Sequence, residues 1–320
     1  MDSMAGLGDN LSMNSTETTA GHGVLAEVGA ASMPSLIEGD CLAVAPTLAG
    51  GTFDLIYADP PFFTKRDFVG AARGLRGNGK ALESLAQEQA DSARETLKFT
   101  DRWLSDVGNR NDRKQYLAWL EPRLLAMRRL LKPNGNFLLH LDWHAVHYAK
   151  VMCDEIFREE NFQNELIWHY QTGGASKGRF SRKHDTILFY SNGPGFYFDG
   201  KSIAIPRTPK AMKRAQCATG ARIKATDTHK NPDDVLIIPA LNPMATERTG
   251  YPTQKPVELL TRLITALCPK GGLVGDFFCG SGTTLVAAKM LERRYFGCDV
   301  NAAAVALARK RVGEITSPAR

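Results

Sequence analysis

Asp59-Pro60-Pro61-Phe62 follows a short apolar run, Phe53 to Ala58, that has the character of a buried strand. Each proline fixes φ and removes an N–H, and the residue before a proline is pushed toward extended geometry. Asp59 is therefore held out at the strand tip. Its carboxylate, the carbonyl of Pro60 and the ring of Phe62 make a rigid cup. Such a cup suits a planar group carrying an NH2, whose hydrogens meet the acceptors while the ring stacks on its face. A strand-ending turn would use the same prolines, so this stretch alone leaves both readings open.

A second constellation lies far downstream. Asp276-Phe277-Phe278-Cys279-Gly280-Ser281-Gly282 leads from a strand through glycines and Thr283-Thr284 into a helix over 285–291. Glycines let a ligand approach the backbone, and a helix N-terminus favours a carboxylate or phosphate. Asp299 ends the next strand, 19 residues after Gly280. That is the spacing of an acid that holds ribose hydroxyls. Leu285 stands where a dinucleotide fingerprint has its third glycine, so an adenosine without phosphates is better served than a pyrophosphate cofactor. S-adenosylmethionine is such a molecule. A methyl donor in one crevice and an amino group in the next make one reaction, methyl transfer to an exocyclic nitrogen.

The elements that must hold these groups alternate. After Ser35 comes a short strand ending at Gly39-Asp40, where Asp40 is either a ligand or the N-cap of a helix over 42–48. Tyr116, Leu117, Leu120, Leu124, Met127 and Leu131 recur at helical spacing over 112–132, and Pro122 is expected to kink or split that helix. Lys132-Pro133-Asn134-Gly135 reads as a stop before a strand at 136–142, followed by a helix over 144–157. After Gly250, a helix over 257–267, a strand over 273–278, a helix over 285–291, a strand over 295–300 and a last helix capped by Asn301 complete an α/β pattern with a parallel sheet. Ligands of such sheets bind beyond the strand carboxyl ends, at a topological switch point.

Composition narrows the function classes. The chain has 320 residues, 43% of them hydrophobic, and a net charge of +6. No apolar run reaches the roughly 18 residues of a membrane span, and no secretory signal is visible. None of the six cysteines forms a C-x-x-C pair, so reduced thiols in the cytoplasm are expected, near the nucleoid if DNA is the partner. Positive charge is concentrated in the middle: residues 207–230 hold seven Lys or Arg against Asp227, a net +6. A second basic, glycine-rich stretch runs from Gly173 to His184. Lys177, Arg179, Arg182, Lys183, Lys210, Lys213, Arg214, Arg222 and Lys224 are the candidate nucleic-acid contacts.

With its three motifs in this order, the chain resembles the β-class amino-methylating DNA methyltransferases, close to the Mod-type adenine enzymes. The resemblance rests on Asp59-Pro60-Pro61-Phe62, Tyr251-Pro252-Thr253-Gln254-Lys255-Pro256 and Asp276 to Thr284, and covers about residues 35–315. It implies a Rossmann-like, S-adenosylmethionine-dependent sheet of seven strands with permuted motif order, in which the Asp59 and Asp276 strands are neighbours. It implies a catalytic first part over 35–160, a target-recognition region over 161–250 and a cofactor-binding part over 251–316. Two stretches depart from the family's pattern: residues 1–34, whose Ser, Thr, Gly, Ala and Met read as a disordered tail, and 70–98, which reads as a lid-like or disordered insertion. Double-stranded DNA is the implied partner, with base flipping. A homodimer through the helix around Tyr116 and a restriction endonuclease partner are further possibilities.

Carried over by residue, Asp59 and the Pro60 carbonyl accept from the target amino group, with Pro61 stiffening the turn and Phe62 stacking on the base. Asp40, Cys41, Thr253, Lys255, Asp276, Phe278, Gly280, Gly282, Thr283 and Asp299 line the donor site. Asp rather than Ser before Pro-Pro points, within the family, to adenine N6 rather than cytosine N4. Two rivals are weaker: a non-catalytic DNA-binding subunit would not need Asp59 with an intact glycine turn, and a nicotinamide oxidoreductase leaves Asp-Pro-Pro-Phe unexplained.

Overall fold

A computed structural model describes residues 35–64, 67–68, 99–100, 111–171, 175–217, 228–242 and 244–315. Twelve strands and seven helices are described, in the order β1 (Leu36–Glu38), α1 (Cys41–Val44), β2 (Phe53–Ala58), β3 (Asp67–Phe68), β4 (Phe99–Thr100), α2 (Asn111–Leu130), β5 (Leu131–Leu141), α3 (Val146–Phe157), β6 (Phe162–His169) and β7 (His184–Ser191). There follow β8 (Ile205–Pro206), α4 (Pro209–Cys217), β9 (His229–Lys230), β10 (Val235–Ile237), α5 (Val257–Leu267), β11 (Leu273–Asp276), α6 (Thr283–Met290), β12 (Arg294–Asp299) and α7 (Ala302–Gly313).

One eight-stranded sheet, in the order β1-β12-β11-β2-β5-β7-β6-β10, organises the chain. Only β7 runs antiparallel to its neighbours. The fold is the Rossmann-like methyltransferase sheet that the motif order implies. β2 and β11 are adjacent, with Val274 opposite Leu55, although more than two hundred residues separate them. From β2 the chain moves outward to β5; from β11 it moves the other way to β12. The switch point therefore lies between the two strands that carry the two constellations, where ligands of such sheets collect.

β2 is buried on both faces. Phe53, Ile56 and Ala58 pack against α1, α2 and α3, while Leu55 and Tyr57 pack against α5 and α6. The apolar face of α2 is spent inside the chain: Tyr116, Leu120, Leu124 and Leu130 have no exposed surface. That face is thus not free to form the homodimer contact expected of it. Pro122 neither splits nor ends α2, which runs through it. The buried side chains on either side of the proline hold both halves to the sheet.

Three further differences come from strand pairing. Lys132-Pro133-Asn134-Gly135 does not stop the chain before β5 but forms a bulge within it, because Phe53 pairs with Leu131 and Leu55 already with Asn136. The sheet continues past residue 160, where the sequence reading places the start of the recognition region: β6 and β7 hydrogen-bond onward from β5. β10, from the same region, adds an eighth strand to the expected seven. The expected tail over 1–34 and insertion over 70–98 lie outside the described residues, although Phe68 and Phe99, flanking the latter, pair with each other.

Candidate active site

A cavity of about 470 Å³ opens at the carboxyl edge of the sheet, across the β2–β11 switch point. On its β2 side sit Asp59, Pro60, Pro61 and Phe62. The cup is braced from several directions. Tyr116 of α2 donates to the Pro61 carbonyl at 2.8 Å. The next residue, Phe63, has φ of 63° and its buried ring lies against Tyr116. Left-handed backbone at a bulky residue costs on the order of 1–2 kcal/mol, a strain that persists only where the surroundings fix it. Lys255, just before α5, places its ammonium 2.5 Å from Asp59 Oδ2 and 4.8 Å from the centre of the Phe62 ring. Asp59 Oδ1 is buried and has no hydrogen-bond partner among the described residues. An unpaired buried acceptor costs about 1–3 kcal/mol, so Oδ1 is an acceptor ready for a hydrogen-bond donor.

The β11 side is built by the glycine turn. Asp276 ends β11, and its carboxylate accepts from the Phe278 N–H at 3.0 Å and from the Thr284 hydroxyl. Burial, reinforced by the nearby Asp59 and Asp299 charges, pushes its pKa up to about 7 against those hydrogen bonds. Asp299 ends β12 and accepts from the N–H groups of Gly280 and Asn301, each at 2.9 Å. Burial raises its pKa, with those two bonds opposing. Gly280, at φ 47°, has the Tyr251 ring 3.1 Å from where a Cβ would sit. α6 begins at Thr283 with no side-chain cap, which leaves its first N–H groups for something else. Arg311 of α7 steadies the turn by donating to the Ser281 carbonyl at 2.7 Å and to the Thr283 hydroxyl at 3.1 Å. Uncapped N–H groups for a carboxylate, carboxylates for hydroxyls and a cationic centre, and Phe278 and Trp119 as flat walls fit an adenosine-type methyl donor.

The family model N6_N4_Mtase, described as DNA methylase, matches residues 53–310. The chain belongs to this DNA methylase family. The type II methyltransferase M2.MboI of Moraxella bovis is 24% identical over 298 residues, 88% of each protein. The DNA adenine methyltransferase YhdJ of Escherichia coli is 22% identical over 290 residues, 87% of this chain and 82% of the relative. Among solved structures, the cytosine-N4-specific PvuII DNA methyltransferase superposes with a TM-score of 0.57 at 16% identity, covering 88% of this chain and 86% of the other. The TTHA0409 modification methylase of Thermus thermophilus, complexed with S-adenosyl-L-methionine, gives 0.52 at 20% identity, covering 88% and 93%. At these identities the structural likeness speaks to the fold.

Most of the predicted site residues of this methylase meet in the one cavity: Asp40, Cys41, Thr253, Phe278, Thr283 and the acids already placed all line it. Two differ in role and one is absent. Lys255, expected in the donor site, pairs with Asp59 on the acceptor side. Asp40 is both a lining residue and a helix cap, accepting from Leu42 N at 2.8 Å and pairing with Arg123 at 2.6 Å. Gly282 does not line the cavity; a Cβ there would lie 2.6 Å from Ala308 of α7, so its work is packing. Trp119 and Tyr57 line the site unannounced, because a Trp in an amphipathic helix and a Tyr in a buried strand carry ordinary core signals; Tyr251, which opens the Tyr251–Pro256 motif, lines it too.

The basic candidates fall in two groups. Lys177, Arg179, Arg182 and Lys183 belong to the loop joining β6 to β7. Thr186 lies opposite Leu141, so this loop emerges at the same sheet edge as the cavity. The Arg182 guanidinium lies 3.5 Å over the half-exposed ring of Trp143, just past β5. Lys210, Lys213 and Arg214 are exposed on α4, and Arg222 and Lys224 lie outside the described residues.

Proposed function

We propose that this methylase transfers the methyl group of S-adenosylmethionine to the N6 amino group of an adenine flipped out of double-stranded DNA at a specific sequence. The observation that carries this is the buried, unpartnered Oδ1 of Asp59 beside the Phe62 ring, in a cavity shared with the glycine turn. S-adenosylmethionine supplies an electrophilic methyl group on a positively charged sulfur. Asp59 Oδ1 and the Pro60 carbonyl accept the two hydrogens of the target amine. This draws the nitrogen lone pair out of the ring and turns it toward the β11 side; as the N–C bond forms the methyl–sulfur bond breaks, leaving a neutral thioether, and Asp59 takes up the proton that the nitrogen releases. Lys255 fixes the other carboxylate oxygen, so Oδ1 presents one orientation. Phe62 stacks on the flipped base. Asp299 holds the donor's hydroxyls, and the first turn of α6 holds its carboxylate. No side chain becomes covalently attached, and burial pushes the Cys279 thiol well above its ordinary range, away from nucleophilic use.

Asp at the head of Asp-Pro-Pro-Phe, together with the likeness to an adenine methyltransferase of Escherichia coli, supports adenine. The test is to incubate the protein with methyl-labelled donor and duplex DNA, digest the DNA to nucleosides and separate them. N6-methyldeoxyadenosine is the expected product. N4-methyldeoxycytidine alone would overturn the base assignment, and neither product would overturn the activity.

A further inference from the structure

Behind the acceptor cup runs a string of buried polar side chains that the methyl transfer itself does not use. The Tyr57 hydroxyl lies 2.6 Å from His140 Nδ1. His140 Nε2 lies 3.3 Å from Asp185 Oδ2, and Tyr170 donates to Asp185 Oδ1 at 3.1 Å. His140 is the penultimate residue of β5 and has no exposed surface. Its ring is packed by Phe62 at 5.6 Å, by the edge of Trp168 at 5.6 Å and by Tyr57 at 6.0 Å. An imidazole in such a place is costlier than an aliphatic side chain unless both nitrogens are satisfied, and here both are.

The string has a direction. An ionised Asp185 can only accept, so in the neutral imidazole Nε2 carries the proton and donates to it, and Nδ1 accepts from the Tyr57 hydroxyl, whose pKa burial holds well above its ordinary range. Burial alone would raise the Asp185 pKa, but the bonds from His140 and Tyr170 and the Lys255 charge bring it below the usual carboxylate value. One end of the string, Tyr57, lines the cavity. The other end is the foot of the basic loop: Tyr170 precedes the loop, Asp185 follows it, and the Tyr170 N–H closes it on the Lys183 carbonyl at 2.9 Å.

We propose that His140 is a positioning residue that ties the plane of the Phe62 ring to the foot of the basic 171–183 loop, so that DNA held by the loop sets the stacking wall for the target base. This rests on the reading of Phe62 as the base-stacking ring and of the loop as a DNA contact. It asks of His140 no proton transfer and no contact with the donor.

The experiment uses the full chain and two duplexes in the recognition sequence found by modification-aware sequencing: one with adenine at the target position for turnover, and one with 2-aminopurine there for emission only. His140→Leu removes both bonds at nearly constant volume. Tyr57→Phe removes one hydroxyl and keeps the ring, so it tests the same string where the first variant fails to fold. Both are expected to lower kcat, His140→Leu by roughly 10- to 100-fold, as misplacement of a reacting group does. KM for DNA and donor affinity should stay within about threefold, a split expected when only alignment of the bound base is lost. Emission from the flipped 2-aminopurine should rise as stacking on Phe62 loosens. Folded variants with wild-type kcat and emission would overturn the inference. So would a loss of donor binding in step with kcat, since that marks general damage. Wild-type protein that methylates no DNA would instead overturn the reading of the site.

Discussion

At the scale of single residues, the site is a contest between carboxylates and the one lysine placed among them. Asp40, Asp59, Asp276 and Asp299 line a single cavity, and Lys255 neutralises only Asp59. Asp59→Ala is expected to abolish methyl transfer to DNA while donor binding, measured by calorimetry, persists; full activity in that variant would rule out the amine-acceptor role. Asp276 gives a second test. Its pKa in the folded protein, about 7, stands above the ordinary aspartate value of 3.8, so between those values the folded state holds a proton that the unfolded state has released. Stability from this group is therefore present at low pH and falls as pH rises toward 7, by up to about 4 kcal/mol across the window. Asp276→Asn should flatten that fall in urea unfolding at pH 5, 6, 7 and 8, and an unchanged slope would place the proton elsewhere. Asp59 was legible because two prolines mark it. The pairing of Lys255 with Asp59 was not, since 196 residues separate them and nothing in either local pattern refers to the other. His140 and Arg311 were likewise hidden, one in an apolar strand and one in the last turn of a basic helix.

At the scale of elements, the glycine turn does two jobs with two glycines. Gly280 keeps the backbone open beside Tyr251 at the cavity. Gly282, at φ 77°, lets α6 start hard against α7. Gly282→Ala combines left-handed strain with overpacking on Ala308 and is expected to lower unfolding free energy by about 2–4 kcal/mol. Urea denaturation checks this, and a loss under about 0.5 kcal/mol, the scale of a neutral surface change, would mean the α6–α7 contact yields freely. Elements with clear punctuation matched their sequence signals. α5 begins at Val257 after Pro256 and ends at Leu267, and Asn301 caps α7 by accepting from Ala303 and Ala304. Elements whose local signals compete with packing did not. Pro122 and Lys132-Pro133-Asn134-Gly135 are breakers by residue type, yet the buried faces of α2 and β5 carry the chain through both. β6 and β7 fall in the 161–250 stretch that the resemblance assigns to target recognition; the hydrogen bonding that joins them to β5 is a long-range fact that no local window contains.

At the scale of the whole molecule, the question is how a chain with a cavity rich in carboxylates attracts a polyanion. The answer lies in where the charge is put. The 207–230 segment carries a net +6, equal to that of the whole chain, so the remainder is neutral on balance. Asp59 and Asp276 are recessed in the cavity, whereas Lys177, Arg179, Lys213 and Arg214 are exposed. On the proposed reading, DNA would meet cations first, and only an extruded base would reach the acids. Two charge reversals separate the two basic groups. If both residues contact phosphates, Lys213→Glu with Arg214→Glu should reduce the slope of log K against log salt by about 1.8, and weaken binding to all sequences alike. Lys177→Glu with Arg179→Glu should flatten the slope by a similar amount, and should also lower kcat, because that loop alone is tied to the cup through Asp185 and His140. Anisotropy titrations across a salt series, run beside single-turnover methylation, measure both. An unchanged slope in the α4 pair would move the phosphate track off that helix, and an unchanged kcat in the loop pair would leave the loop as an anchor with no hold on the chemistry.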